Sequence, residues 1–236
     1  MKKFWSYIKN DKYAVGCSGQ TTYVYDNAGV ELAKFKKDII YAYVPVFCPN
    51  KDIFIVKSTD GRIAVYSLAE LKLIKKFRFS KVDYSQDDGL CFSGDGRYLY
   101  NIERHIDSLH SRISVYDTEE FNLVKRLFED EKRDILFEYI EYDKEKDGIY
   151  VCGFFPGTYR NKNNRNVYFA AELKDDVLAD ITELETEDKC NLYEYKSLEL
   201  NGFTEKAREY SSLDDKVIKE LQDRDIHISD YIKKQE

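Results

Sequence analysis

The chain has 236 residues, 43% hydrophobic and 15% aromatic, which is ample for a core and too apolar for wholesale disorder. Its 37 Lys/Arg against 44 Asp/Glu give a net charge of −7, excluding a general nucleic-acid or anionic-membrane binder, since both need surplus positive charge. With 20 tyrosines, 14 phenylalanines and only 3 prolines, the composition favours strands, because aromatic side chains pack well on pleated surfaces.

The first residues, MKKFWSYIKND, open basic, but Lys9, Asn10 and Asp11 interrupt them before a signal-peptide apolar segment develops. The longest apolar stretch, 39–47, is broken by Pro45 and falls far short of the roughly 20 residues of a membrane helix. A cytoplasmic protein with no membrane contact is therefore expected. Cys17, Cys48, Cys91, Cys152 and Cys190 are scattered without a Cys-x-x-Cys pair. That spacing suits buried reduced thiols rather than a disulfide framework or a zinc site.

Further along the chain the sequence repeats itself. Tyr13-Ala14-Val15 leads into YVYDNAGVELAKF, Ile53-Phe54-Ile55-Val56 into AVYSLAELKLIKKF, and Tyr98-Leu99-Tyr100 into SVYDTEEFNLVKRLF. The last three segments superimpose without gaps on a Val-Tyr anchor (Tyr25, Tyr66, Tyr116), spaced by 41 and 50 residues. Seven residues beyond each anchor stands leucine (Leu32, Leu73, Leu123), then an apolar residue, then lysine (Lys34, Lys75, Lys125). Ile149-Tyr150-Val151 precedes a weaker fourth copy, VYFAAELKDDVLADI, with Ala170 at the anchor position. Stretches such as 39–47 and 135–140 supply a further strand ahead of the pair, and Asp60-Gly61, Asp95-Gly96 and Asp147-Gly148 supply tight turns. Each unit therefore reads as four short strands joined by turns.

Four-stranded units at this spacing carry the signature of propeller blades. Phe92-Ser93-Gly94-Asp95-Gly96-Arg97-Tyr98-Leu99 resembles the F-S-x-D-G-x-x-L turn of WD-repeat-like and bacterial β-propeller proteins, and Phe47-Cys48-Pro49-Asn50-Lys51-Asp52 is a degraded version. The Gly-His and Trp-Asp dipeptides of eukaryotic WD repeats are absent. The resemblance covers about residues 1–184 and implies a fold, not an activity. A β-sandwich also gives evenly spaced strands, but does not require the leucine-apolar-lysine triplet to recur at one offset.

The expected architecture is all-β with a C-terminal helix: a small propeller of four to five four-stranded blades. Its repeat domain is 1–203, and Leu192-Tyr193-Glu194-Tyr195 is a candidate first strand of a fifth blade. Residues 204–236 read as an amphipathic helical tail packed on that domain. Ser212-x-x-Asp215 would cap it, and Leu213, Val217 and Leu221 would lie on one face.

No catalytic site, metal site or cofactor is predicted. Asp143 to Ile149 is acid-rich like a calcium loop, but its twelfth position is Phe154 and lysines intervene. His105 and His110 lack enough companion ligands for a metal, and His227 lies far away in sequence. Neither a Gly-x-Ser-x-Gly elbow nor a glycine-rich phosphate cradle occurs.

What stands out is two enlarged connections, 103–112 and 155–166, between the second and third strands of units three and four. Equivalent loops of a propeller emerge on one face, where binding residues concentrate. The second loop carries Arg160, Lys162 and Arg165 and no acid. The first balances Arg104 and Arg112 against Glu103 and Asp107, and its His105 and His110 gain charge below neutral pH. With Phe155 and Tyr159 as aromatic anchors, this face is expected to dock a protein partner with an acidic surface. The chain would then be a non-catalytic interaction module, one version of which is an inhibitor or immunity-type binder. Two other readings are kept open: a small-molecule-binding or hydrolytic propeller with its site at the central channel, and a homo-oligomer in which a second copy completes the ring.

Overall fold

The computed structural model describes residues 3–59, 61–78, 84–85, 89–105, 110–157 and 165–233. Its strands form antiparallel sheets in simple sequential order. Sheet 1 is β1 (Ser6–Lys9), β2 (Tyr13–Ser18), β3 (Thr21–Asp26) and β4 (Glu31–Lys36). Sheet 2 is β5 (Ala42–Phe47), β6 (Ile53–Ser58), β7 (Arg62–Ser67) and β8 (Lys72–Arg78). After a two-residue strand, β9 (Tyr84–Ser85), sheet 3 runs through β10 (Leu90–Phe92), β11 (Tyr98–His105), β12 (Ser111–Asp117) and β13 (Leu123–Leu127). Sheet 4 is β14 (Leu136–Asp143), β15 (Gly148–Phe155), β16 (Val167–Lys174) and β17 (Val177–Glu183). Residues 1–86 with 194–212 form one compact unit carrying sheets 1 and 2; 87–193 with 213–236 form a second carrying sheets 3 and 4.

The middle strands explain the apolar runs. In β6 and β7 five of six consecutive residues are buried, so both faces of the strand are covered and alternation disappears. Fourth strands behave differently: β4 and β8 alternate with exposed lysines, the pattern that keeps an edge from pairing with another chain. Val15, Val24, Phe54 and Tyr66 belong to the core of the first unit, and Ile102, Val115, Phe137 and Phe169 to that of the second.

The Val-Tyr echo marks a specific backbone event. Pairing between third and fourth strands shifts at Val24/Tyr25, at Val65/Tyr66 and at Val115/Tyr116. A β-bulge at each step leaves one fourth-strand residue without a partner: Leu32, Ile74 and Val124, all exposed. The gapless superposition fails in sheet 1, however. Tyr66 and Tyr116 face Leu73 and Leu123, whereas Tyr25 faces Glu31, one position earlier. The 26–30 turn is the reason: the Asp26 amide donates to the Val30 carbonyl (3.0 Å), while in sheet 3 Asp117 reaches one residue further, to Asn122 (3.1 Å). Gly29, at φ 83°, permits the tighter turn.

The Asp-Gly signals hold with one variation. Gly61 and Gly96 adopt φ of 84° and 66°, but between β14 and β15 it is Asp147 that takes the left-handed conformation (φ 50°). In the 93–97 turn Asp95 accepts from Ser93 Oγ (2.7 Å) and from the Arg97 amide (3.1 Å). The Ser93 hydroxyl first, and Arg97 after it, hold the Asp95 carboxyl down at about 2.

The fifth-blade strand is not formed. Leu192-Tyr193-Glu194-Tyr195 lies inside α1 (Thr186–Leu200), so helical structure begins at 186 rather than 204. Tyr193 and Tyr195 look like strand alternation, but on a helix two residues apart they point to different surroundings. Tyr193 stacks edge-on against Tyr139 and Tyr168, and Tyr195 meets Phe203. The helices α2 (Glu205–Tyr210) and α3 (Asp215–Asp223) follow. Asp214, not Ser212, caps α3 through the Lys216 and Val217 amides, and its buried residues are Ile218 and Leu221.

A final 3-10 turn, Ile228–Tyr231, clamps the tail to sheet 4. Ser229 Oγ donates to Asp143 Oδ2 (2.5 Å), Lys146 Nζ reaches Ser229 Oγ (2.6 Å) and Asp230 Oδ1 (3.0 Å), and the Lys233 amide donates to Thr182 Oγ1 (2.9 Å). The acid-rich 143–149 turn thus holds the chain's own lysine. Burial alone would raise the Asp143 carboxyl, but the Ser229 hydroxyl and the Lys146 and Glu145 amides outweigh it and keep it below the ordinary aspartate value. A depressed folded-state pKa stabilises above the unfolded value and is lost as pH falls through the folded one. Thermal unfolding followed from about pH 6 to about pH 2 should therefore show a steeper acid loss for the wild type than for Asp143→Asn. Parallel acid limbs contradict the clamp. Ser229→Ala should cost about 1–2 kcal/mol near neutral pH.

Candidate functional site

The expected loop 103–112 is mostly strand. Glu103, Arg104 and His105 end β11, Ser111 and Arg112 open β12, and they pair in register as Glu103↔Arg112 and Arg104↔Ser111. Residues 106–109 lie outside the described residues. Charged residues enter these strands because each finds a partner. Glu103 is fully buried and accepts from Arg112 Nε (2.7 Å) and from the Tyr116 hydroxyl (3.3 Å). Arg112, only 7% exposed at its side chain, also binds Glu129 through Nη1 (2.5 Å). Arg104 Nη2 pairs with Glu138 (2.9 Å), tying β11 to β14. Burial, and next the Glu103 charge, push the Tyr116 phenol well above its ordinary value.

Both arginines expected to face a partner are therefore committed to carboxylates within their own unit, as a correction to their reading as loop-tip contacts. His110 is half-buried, its Nε2 lies 2.7 Å from the Phe128 carbonyl oxygen, and its backbone bridges Ile135. His105 donates its amide to the His110 carbonyl (2.9 Å). Among the described residues no His, Cys, Asp and Glu cluster has a metal-holding arrangement.

The connection 155–166 is described at its two ends. Phe155 ends β15, stacked on Phe169 (centroids 4.8 Å apart) with the Arg133 guanidinium 5.4 Å above its ring. Gly157 donates its amide to Asn166 (3.2 Å), and Arg165 is exposed. Tyr159, Arg160 and Lys162 lie outside the described residues.

One segment brings the two sets together, and sequence reading missed it. Residues 128–138 supply Phe128 to His110, Glu129 to Arg112, Arg133 to Phe155 and Glu138 to Arg104. Its mixed run Glu129-Asp130-Glu131-Lys132-Arg133-Asp134 reads as a solvated turn, and nothing local in it announces four long-range partners. Glu131 is itself matched by Arg133 (3.4 Å), which holds its carboxyl below the usual range.

No protein-family model matches the chain, and no curated protein matches it in sequence. Among solved structures, dihydro-heme d1 dehydrogenase NirN in complex with DHE aligns with a TM-score of 0.50 at 14% identity, over 74% of this chain and 44% of that one. Hydrazine synthase of Kuenenia stuttgartiensis aligns with a TM-score of 0.56 at 15% identity, over 74% and 51%. The fold is a β-propeller. This chain spans about half the length of those solved chains, and identity this low carries the fold alone. No described helix is long and apolar enough to cross a membrane.

The propeller blades of the second unit thus carry an internal charge lock, Glu103–Arg112–Glu129, beneath their strand ends. Removing one partner of a buried pair strands the other charge. Arg112→Met should destabilise the protein by about 3–5 kcal/mol, and adding Glu103→Gln should recover most of that loss, as read by urea unfolding. A single variant of wild-type stability would show that the lock does not hold the strands.

Proposed function

We propose that the chain is a non-catalytic cytoplasmic interaction module that docks an acidic protein surface at the strand ends of β11–β12 and β15–β16. The observation that carries this reading is that Arg104 and Arg112 serve as scaffold. Their ion pairs with Glu138, Glu103 and Glu129 fix a rigid platform from which the 156–166 connection departs. That connection holds Arg160, Lys162 and Arg165 and no acid, in a protein of net charge −7. Loops on rigid scaffolds are where recognition residues concentrate, and rim arginines steer association and set its salt dependence. Free thiols at all five cysteines, four of them buried, support a reducing compartment.

The test is affinity purification of the tagged chain from its native cells beside the Arg160→Ser/Lys162→Ser/Arg165→Ser variant. The wild type should recover an acidic partner that washes off with rising salt, and the variant about tenfold less of it. Equal recovery by both proteins rejects the site.

A further inference from the structure

The last element of the chain is headed by a histidine set among carboxylates. His227 precedes the 3-10 turn Ile228–Tyr231, is half-buried, and meets a different acid at each ring nitrogen. Its Nδ1 lies 3.6 Å from Glu141 Oε1 on β14, and its Nε2 lies 3.7 Å from Asp225 Oδ2, just beyond α3. A neutral imidazole carries one N–H and one lone pair, so it suits only one of these acids. The imidazolium donates from both nitrogens. Glu141, mostly buried, is the stronger partner, because Asp225 is exposed and its charge is screened by water.

The elements that meet this turn bring more acids than bases. β14 also presents Asp143 and the turn itself Asp230, with Lys146 Nζ 3.9 Å from the first and 3.0 Å from the second. β15 and β16 place Tyr150 and Glu172 in one cross-strand row with Glu141, and the exposed Lys174 follows on β16. From β17, Asp180 lies close enough to raise the Tyr150 phenol, behind the larger effects of burial, Glu172 and Asp143.

Asp143 and Asp230 keep their charge through neutral pH. Burial alone would raise the Asp230 carboxyl, but the His227 amide and then Lys146 outweigh it, and Asp143 is held down likewise. A charged His227 ring lowers both carboxyls further. Glu141 links that ring to the seating of the turn, because the buried Ile228 donates its amide to the same carboxylate.

We propose that His227 is a pH-sensitive fastener of the C-terminal strap. Protonated, it bridges Glu141 and Asp225 and holds the 3-10 turn on sheet 4; deprotonated, it gives up one of them and the turn opens more readily. An interaction made by the imidazolium is fully present below the ordinary histidine value of ~6.5 and is lost as pH rises beyond it. The Asp143 contribution has the opposite sense, being lost only in acid, so the two are separable in one titration.

Amide hydrogen exchange of the full chain, expressed as protection factors that divide out the intrinsic pH dependence, tests the proposal. The amides to follow are Ile228, bonded to Glu141, and Lys233, bonded to Thr182. From about pH 6 to about pH 8 their protection should fall about fivefold in the wild type. His227→Gln should stay at the wild type's high-pH level throughout. Glu141→Gln keeps an acceptor for Ile228 but removes the charge, and should flatten the profile in the same way. It should also lower the midpoint at which the His227 ring protons titrate by nuclear magnetic resonance. Wild-type protection that is constant over this range, a His227→Gln profile that still falls, or a His227 midpoint that Glu141→Gln leaves unmoved would each overturn the assignment.

Discussion

A strand buried on both faces cannot stand alone. In β6, β7, β12 and β16 runs of consecutive residues are shielded from water, so each sheet needs a neighbour against both of its surfaces. Each fully buried aliphatic or aromatic side chain contributes roughly 1.5–3 kcal/mol, and these strands bury runs of consecutive positions rather than alternate ones. The four-stranded hairpin unit solves this by putting its cost at the fourth strand, which faces water and carries the lysines. The bulge at the Val-Tyr step belongs to the same solution. It turns the fourth strand away from the ladder and leaves the unpartnered Leu32, Ile74 or Val124 exposed, while the valine before it stays in the core.

That constraint also decides where charge can go. Glu103 and Arg112 sit at the far ends of β11 and β12, in positions that the apolar pattern would reserve for aliphatics. They are tolerated because Arg112 spans two carboxylates and Tyr116 gives Glu103 a second donor. The segment 128–138 contributes to both arginine pairs, so the ends of sheets 3 and 4 are stiffened by charge. The C-terminal clamp at Asp143 and Lys146 acts at the opposite end of β14, through the turn that leads into β15.

The second strands, the Asp-Gly turns and the anchor strands were legible because each is announced by local chemistry: an apolar run, a turn pair, a recurring Val-Tyr. The one-residue shortening of the 26–30 turn was not, since a gapless echo between Tyr25 and Leu32 looks the same whether or not the pairing slips. Residues 192–195 misled because Tyr-x-Tyr satisfies strand alternation as readily as two faces of a helix. The acidic first turn at Glu187 and Asp188 was the better signal. The polar run 103–112 read as a loop because the carboxylates that let its arginines enter strands lie elsewhere in the chain.

The repeat itself is open to direct measurement. Cross-strand backbone contacts from nuclear Overhauser spectra of the labelled full chain should place Tyr66 opposite Leu73, Tyr116 opposite Leu123 and Tyr25 opposite Glu31, each beside one skipped residue. Uninterrupted pairing through these steps, or anchors lying in unlike strand positions, would contradict the blade-by-blade account and the equivalence of the three tyrosines.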